Sequence, residues 1–277
     1  MDPLSWLAAW VAKRGLDSTY TRVLAWFKNE SPRKVLIIGP GGVGKSTLGA
    51  FLSAKERADC PPGEYVESLN TETYSLADDP KVQIVVPPGQ QHRMDATWDS
   101  VMSDLKVGQF RGVILILAYG HHTVGDFTYK NHRLYNETNG LEAFVRDYVS
   151  DCLAIEKGIL IRISEAINRC NQPIWLLTLV TKQDLWWTDQ GAVEKHYGSG
   201  SYADIVKQCL GDKSGVQFRH EQVFVSLVIR NLMTGRGEFL KGTASGYDMP
   251  MQHQSVERLL QVFEGLMQWE QQHASSK

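Results

Sequence analysis

The sequence predicts an α/β domain of three layers, in which helices cover both faces of a mostly parallel β-sheet. From residue 33 onward, six short apolar runs alternate with segments of helical spacing. The runs cover residues 34–38, 72–76, 81–86, 112–119, 174–180 and 222–227. Such alternation is typical of strands that are buried on both faces and joined by helices. The chain has 277 residues, 43% of them hydrophobic, which suffices for one large domain with a substantial core.

Residues 1–31 precede the first strand and predict an N-terminal helical hairpin. Gly15 separates two segments of helical spacing, and Pro32 stops the second one. Two interpretations stay open at this point. Either the apolar faces of the hairpin cover the main domain, or Trp6 and Trp10 contact a partner or a membrane surface.

Residues 32–277 predict a single domain with an inserted helix at about 141–170. Gly158 lies inside that helical pattern, and an interruption there stays open. Glycine and serine residues at 191–201 predict a surface loop. An apolar stripe at helical spacing predicts a last helix over 255–270, packed on the sheet.

Charge and cysteine content exclude several classes of protein. Lys and Arg total 29 against 31 Asp and Glu, so the net charge of −2 gives no general reason to bind nucleic acid. The four cysteines are scattered and form no C-x-x-C pair, which suits a reducing compartment. No apolar stretch approaches the roughly 20 residues of a membrane-spanning helix. We therefore expect a cytoplasmic protein without a transmembrane segment, with peripheral attachment to a membrane as an alternative.

The strongest chemical signal is a glycine-rich loop that follows the first strand and opens a helix. It matches the phosphate-loop pattern G-x-x-x-x-G-K-[ST] in full. The residues expected to bind phosphates are Gly39, Gly41, Gly42, Val43, Gly44, Lys45, Ser46 and Thr47. Glycines let backbone N–H groups approach phosphate oxygens, the lysine reaches the terminal phosphates, and the serine hydroxyl suits Mg²⁺. The loop therefore predicts a nucleotide site in which Ser46 is a metal ligand.

A second motif, Thr181-Lys182-Gln183-Asp184, follows the strand at 174–180. The Asp184 carboxylate can accept hydrogen bonds from two neighbouring donors of guanine that adenine lacks, and the stem of Lys182 can lie over the base. The motif falls at the carboxyl edge of the sheet, where open α/β sheets bind ligands. The alternative is that Asp184 caps a helix and Lys182 is solvated.

With these two motifs, the chain resembles the P-loop GTPases, in particular the Ras-like and ADP-ribosylation-factor-like branch, over roughly residues 33–232. The resemblance implies a GTPase-type P-loop fold and the binding of GTP or GDP with Mg²⁺. It also implies catalytic roles for Lys45, which is the lysine of the phosphate loop, and for Gln90. Gly89 and Gln90 match the glycine of the family's D-x-x-G segment and the glutamine that usually follows it. Val86 stands where that segment has its aspartate.

The resemblance places further residues at the nucleotide. Ser226 and Leu227 correspond to the family's guanine-backing S-A-K motif, of which only the serine is kept. Thr71, directly before a strand, is the candidate for the switch threonine that binds the metal. Ser68 and Thr73 are its rivals.

The function expected from these residues is a guanine-nucleotide-binding switch protein that hydrolyses GTP slowly. Its expected partner is a protein that reads the loops near the phosphates or the N-terminal hairpin. One alternative is a scaffold of GTPase fold that does not hydrolyse GTP, which the valine at position 86 favours. A P-loop kinase acting on a small molecule is a further alternative.

His121 and His122 are adjacent and predict a solvated loop rather than a metal site.

Overall fold

The computed structural model describes residues 18–19, 21–22, 34–53, 70–75, 83–213 and 217–274. Their main feature is a six-stranded sheet of order β2-β3-β1-β4-β5-β6. All neighbouring strands are parallel except β2, which runs antiparallel to β3. The strands are β1 Lys34–Ile38, β2 Glu72–Ser75, β3 Gln83–Val86, β4 Phe110–Leu117, β5 Ile174–Val180 and β6 Phe218–Phe224.

Helices connect the strands and follow the last of them. In chain order they are α1 Lys45–Ser53, α2 Gln91–Lys106, α3 Gly140–Arg169, α4 Gln183–Trp186, α5 Gln190–Gly198, α6 Ser201–Leu210 and α7 Met249–Ala274. A small hairpin of β7 Leu232–Met233 and β8 Phe239–Lys241 lies between β6 and α7.

The core has two layers because side chains alternate across each strand. From β1, Val35 and Ile37 pack on one face with α1 and α7, whereas Leu36 and Ile38 pack on the other with α2, α3 and α6. The central strands β4 and β5 are buried along their whole length. The predicted three-layer α/β fold with a mostly parallel sheet is therefore confirmed.

Two strands are shifted relative to the prediction. The strand predicted at 112–119 spans Phe110–Leu117, because the left-handed backbone of Tyr119 and Gly120 turns the chain out of the sheet. The strand predicted at 222–227 spans Phe218–Phe224. It lies at the edge of the sheet, where polar side chains such as Arg219 and Glu221 reach solvent, so its first half carries little apolar signal.

Several helix predictions also change. The inserted helix is continuous through Gly158, whose Cα faces open space. The loop predicted at 191–201 is wrong. Most of that segment belongs to α5 and the start of α6, since Val193, Tyr197 and Tyr202 are buried against the sheet at helical spacing. The last helix is longer than the predicted 255–270 at both ends.

Most of the predicted N-terminal hairpin lies outside the described residues. Residues 18–19 and 21–22 are helical, and the guanidinium of Arg22 forms an ion pair of 2.9 Å with Glu264 of α7. Among the residues described, no helix has the length and apolar character needed to cross a membrane.

Candidate functional site

The glycine-rich loop connects β1 to α1 at the carboxyl edge of the sheet, as the sequence predicts. Gly42 has a left-handed backbone with φ of 69°, and a Cβ there would lie 2.7 Å from the backbone nitrogen of Thr123. The N–H of Thr123 donates to the Gly42 carbonyl at 3.1 Å. Only glycine therefore allows the loop after β4 to approach the phosphate loop this closely.

Lys45, the first residue of α1, is 7% exposed, and its ammonium donates to the Pro40 carbonyl at 2.7 Å. Burial lowers the pKa of Lys45 to about 7, and the negative charge of Glu72 opposes that shift. The ammonium thus faces the interior of the loop, where the Pro40 carbonyl and the charge of Glu72 are the interactions that the described residues provide. A phosphate group would provide a further anionic partner.

The hydroxyl of Ser46 donates to Oε2 of Glu72 at 3.2 Å. The sequence predicts that this hydroxyl binds the metal, but it does not single out Glu72. The available signal was its place directly after Thr71, at the start of β2. Thr71 itself is exposed, as is its rival Thr73, and Ser68 lies outside the described residues.

The segment after β3 packs tightly on the phosphate loop. A Cβ on Gly89 would lie 2.2 Å from Nζ of Lys45 and 2.4 Å from the Gly39 carbonyl oxygen. The Cγ of Gln90 lies 3.6 Å from the position of a Cβ on Gly41. Gly89 and Gln90 are therefore brought to the phosphate loop, as the sequence predicts.

Val86 ends β3 and is 1% exposed within the core layer that α1 and α7 cover. In the antiparallel ladder, Glu72 is its direct partner on β2. The family that the chain resembles carries an aspartate at this position. Here the position belongs to the core, and Glu72, its partner on β2, carries a carboxylate instead.

The Thr181-Lys182-Gln183-Asp184 motif is hydrogen-bonded to the phosphate loop. The hydroxyl of Thr181 is shared between the carbonyl oxygens of Val43, at 2.7 Å, and Leu117, at 3.0 Å. Lys182 has a left-handed backbone with φ of 56°, and its ammonium donates to the hydroxyl of Thr123 at 3.0 Å. Burial lowers the pKa of Lys182 to about 8, and the charge of Asp184 opposes this. Lys182 is therefore half-buried and hydrogen-bonded rather than fully solvated.

Asp184 is 1% exposed and lies in the first turn of α4. Its carboxylate accepts a hydrogen bond from the Ser226 hydroxyl and another, of 2.9 Å, from the backbone N–H of Arg230. Burial raises the pKa of Asp184, while these two hydrogen bonds act in the opposite direction. Its hydrogen-bond partners include two residues after β6, and its own backbone N–H in α4 also acts on the carboxylate. Leu227 is buried beside them.

The loop that holds Thr123 is fixed by a buried acid that the sequence analysis missed. Glu156 of α3 accepts hydrogen bonds of 3.0 Å from the backbone N–H groups of Ala118 and Gly120, and it also contacts His122 and Tyr197. Burial alone would raise the pKa of Glu156, but the contacts with His122 and Tyr197 hold it below its ordinary value. The overlooked signal was an acid on the apolar stripe of a helix.

The expectation that His121 and His122 lie in a solvated loop is wrong. They are 3% and 4% exposed. Nε2 of His122 lies 2.9 Å from Oε1 of Glu156, and Nε2 of His121 lies 3.0 Å from Nζ of Lys241. Burial lowers the pKa of both imidazoles, that of His121 to about 3. Both histidines are therefore buried parts of the loop whose Thr123 contacts Gly42.

Within the described residues, no group of three or more His, Cys, Asp or Glu side chains is arranged to hold a metal ion. The donors beside the phosphate loop nevertheless fit Mg²⁺. This ion prefers oxygen ligands, keeps several waters and needs only one or two protein groups together with substrate phosphates. Ser46 and Glu72 offer a hydroxyl and a carboxylate within 3.2 Å of each other.

No protein-family model matches the chain, and no curated protein matches it. Among solved structures it is similar to an ADP-ribosylation factor-like GTP-binding protein, the small COPII coat GTPase SAR1 from Encephalitozoon cuniculi, in complex with GDP. The identity is 14% and the TM-score 0.44, over 97% of this chain and 96% of that chain. It is also similar to the signal recognition particle receptor SRb with GDP from Chaetomium thermophilum, at 14% identity and a TM-score of 0.40, over 84% of this chain and 96% of that one.

A third similar structure is the mammalian SRP receptor, at 15% identity and a TM-score of 0.37, over 70% of this chain and 92% of that chain. Because likeness at this level does not transfer an activity, function is argued from the site itself. The sheet order gives this chain a three-layer α/β fold, in which the loop that matches the phosphate-loop pattern connects β1 to α1.

Proposed function

We propose that this chain is a guanine-nucleotide-binding switch protein that binds GTP and GDP with Mg²⁺ and hydrolyses GTP slowly. The observation that carries the proposal is the hydrogen bond from the Thr181 hydroxyl to the Val43 carbonyl. It joins the phosphate loop to the segment that carries Asp184. Groups suited to phosphate and groups suited to a purine base therefore share one edge of the sheet.

On the phosphate side, backbone N–H groups at the start of α1 and the ammonium of Lys45 would hold the terminal phosphates. Ser46 would bind Mg²⁺, which when bound neutralises charge on those phosphates. The backbone N–H of Gly89 would reach the last phosphate, and Gln90 would orient the attacking water. The packing of Gly89 on Lys45 supports these positions. Thr71 remains our candidate for the switch threonine.

On the base side, Asp184 would accept the two adjacent N–H donors that guanine presents. Each carboxylate oxygen has more than one acceptor direction, so the hydrogen bonds from Ser226 and Arg230 leave capacity for a base. Lys182 would cover the base with its aliphatic stem. Adenine would leave a buried carboxylate without these donors, which costs about 1–3 kcal/mol.

A second candidate is a scaffold of GTPase fold that binds nucleotide without hydrolysing it. The burial of Val86 favours it, because a valine offers no ligand to a metal or to its waters. Val86 in place of the family's aspartate also agrees with slow hydrolysis, provided that Gln90 still positions the attacking water. A P-loop kinase acting on a small molecule is the third candidate.

The test is to identify the nucleotide that copurifies with the protein and then to measure single-turnover release of phosphate from bound GTP. A guanine nucleotide with slow release supports the switch. Bound GTP that stays intact supports the scaffold. Release that accelerates with an added phosphoryl acceptor supports the kinase, and equal affinity for ATP and GTP in calorimetry would refute the assignment of Asp184.

The division into a hairpin at 1–31 and a domain at 32–277 is also part of the proposal, as is a cytoplasmic site of action with or without peripheral membrane contact. We expect removal of residues 1–31 to leave nucleotide binding intact and to abolish binding to a protein partner. The ion pair between Arg22 and Glu264 supports contact of the second hairpin helix with α7. Insolubility of the truncated chain would favour a hairpin that covers the core.

A further inference from the structure

The acid beside the phosphate-loop serine comes from an unexpected strand. In P-loop proteins, a serine or threonine of the loop and an aspartate hold Mg²⁺ together. Here the hydroxyl of Ser46 donates to Glu72 on β2 at 3.2 Å, while the end of β3 carries the buried Val86. The carboxylate beside the hydroxyl therefore belongs to the antiparallel strand at the sheet edge.

The strand register explains how Glu72 reaches the loop. Glu72 and Val86 are direct partners in the antiparallel ladder between β2 and β3. Directly opposite residues point to the same face of a sheet, with Cβ atoms about 4.5–5.5 Å apart. The face of Val86 is the one that α1 covers, and Ser46 lies in the first turn of α1. Moving an acid from position 86 to position 72 therefore keeps it on the metal side of the sheet.

We infer that Glu72 supplies the carboxylate of the Mg²⁺ site and takes the place of the acid absent at Val86. The inference rests on the proposed guanine-nucleotide function. In the structure, the carboxylate accepts a hydrogen bond from the Ser46 hydroxyl. With nucleotide and Mg²⁺ bound, the Ser46 hydroxyl oxygen and the Glu72 carboxylate would turn to the ion or to its waters. Mg²⁺ keeps most of its water shell, so the longer side chain of glutamate is tolerated.

One acid near this segment, Asp99, belongs to a different contact. Asp99 of α2 is 83% exposed and forms an ion pair of 2.7 Å with Arg162 of α3. It therefore belongs to the contact between these helices and not to the phosphate loop. This makes Asp99→Asn a matched control, since it removes one carboxylate outside the site.

The experiment measures the dissociation rate of a fluorescent GDP analogue from the full chain, in Mg²⁺ and in EDTA. We expect Mg²⁺ to slow release from the unmodified protein. In Glu72→Gln, Mg²⁺ should slow release at least about tenfold less than in the unmodified protein, a difference of roughly 1.4 kcal/mol. The dissociation rate in EDTA should stay within about twofold of the unmodified rate. Asp99→Asn should behave as the unmodified protein. The affinity for Mn²⁺ in the GDP complex, from electron paramagnetic resonance, should fall in parallel.

A strand exchange of the acid sharpens the test. The double variant Glu72→Ala, Val86→Asp should regain most of the slowing, because the carboxylate returns to the same face. If Glu72→Gln is unstable by circular dichroism, Glu72→Ala replaces it, and we expect the same loss of the Mg²⁺ effect. Full retention of the Mg²⁺ effect in Glu72→Gln, or in Glu72→Ala where it replaces Glu72→Gln, would overturn the inference while leaving the proposed function intact. Absence of any GDP binding by the unmodified protein would overturn both.

Discussion

The hydroxyl of Thr181 donates to the carbonyl oxygen of Val43 at 2.7 Å, although the two residues are 138 positions apart in the chain. The same hydroxyl also contacts the Leu117 carbonyl at the end of β4. One side chain thus fixes the spacing between the glycine-rich loop after β1 and the segment from Thr181 to Asp184 after β5. The proposed binding of one nucleotide by both segments requires that spacing to be constant.

We predict that Thr181→Val destabilises the fold by about 1–2 kcal/mol, because a buried carbonyl loses its donor while the shape of the side chain is kept. Urea unfolding with an unchanged m-value measures this. The control is Thr243→Val at an exposed loop position. A loss no larger than that of the control would show that the Thr181 hydroxyl is unimportant.

Asp184→Asn should weaken GTP binding by about 1–3 kcal/mol and favour xanthosine triphosphate, whose C2 carbonyl accepts where guanine donates. Part of the loss arises because an amide cannot accept equally from Ser226 and Arg230. Calorimetry with GTP, ATP and xanthosine triphosphate measures the change. An unaltered preference for GTP over xanthosine triphosphate would contradict base recognition by this carboxylate.

Nucleotide binding should take up a proton above neutral pH. Burial disfavours the ammonium of Lys45 and lowers its pKa to about 7. A bound phosphate favours the charged form and raises that pKa. Below pH 7 the lysine is already protonated and no uptake occurs. Above pH 7 it must gain a proton on binding, so affinity falls as pH rises.

Calorimetry of GDP binding in buffers of different ionisation enthalpy measures this uptake near pH 6 and pH 8.5. We expect a difference approaching one proton between the two. Lys106→Ala, at an exposed position of α2, should leave it unchanged, and Lys45→Ala should abolish binding. Equal uptake at both pH values would indicate that Lys45 is charged in the free protein.

Glu156→Gln should cost about 2–3 kcal/mol of stability, since the buried carboxylate accepts two backbone N–H groups and contacts His122 and Tyr197. The folded pKa of Glu156 is lowered, so its stabilisation is present above its unfolded pKa and lost as pH falls through the folded value. The lowered pKa of His122 adds a loss as pH falls below about 6.5.

The unfolding free energy as a function of pH tests this, with Glu165→Gln as the control at an exposed position of the same helix. Glu156→Gln should flatten the dependence below about pH 4.5, the ordinary pKa of a glutamate carboxyl. An acid dependence identical to that of the control would place the pH sensitivity elsewhere.

Local pattern predicted much of this molecule. The buried strands β4 and β5 have near-continuous apolar runs, and the phosphate loop has a spacing that few other structures require. The predicted position of β6 lies too late in the chain, because edge strands keep polar residues and its first half therefore lacks an apolar pattern. Helix α5 was missed because its glycines suggested a loop, whereas tertiary burial of Val193 and Tyr197 stabilises a helix there.

The sequence by itself determined the chemistry at the carboxyl edge of the sheet, because Lys45, Ser46 and Asp184 lie in short motifs whose spacing is local. Tertiary structure alone decided which distant groups complete it. Glu72 meets Ser46 only because β2 pairs antiparallel to β3 in one register, and a slip of one residue would turn the carboxylate to the opposite face. Pairing between strands is set by the packing of whole layers, which no short segment encodes.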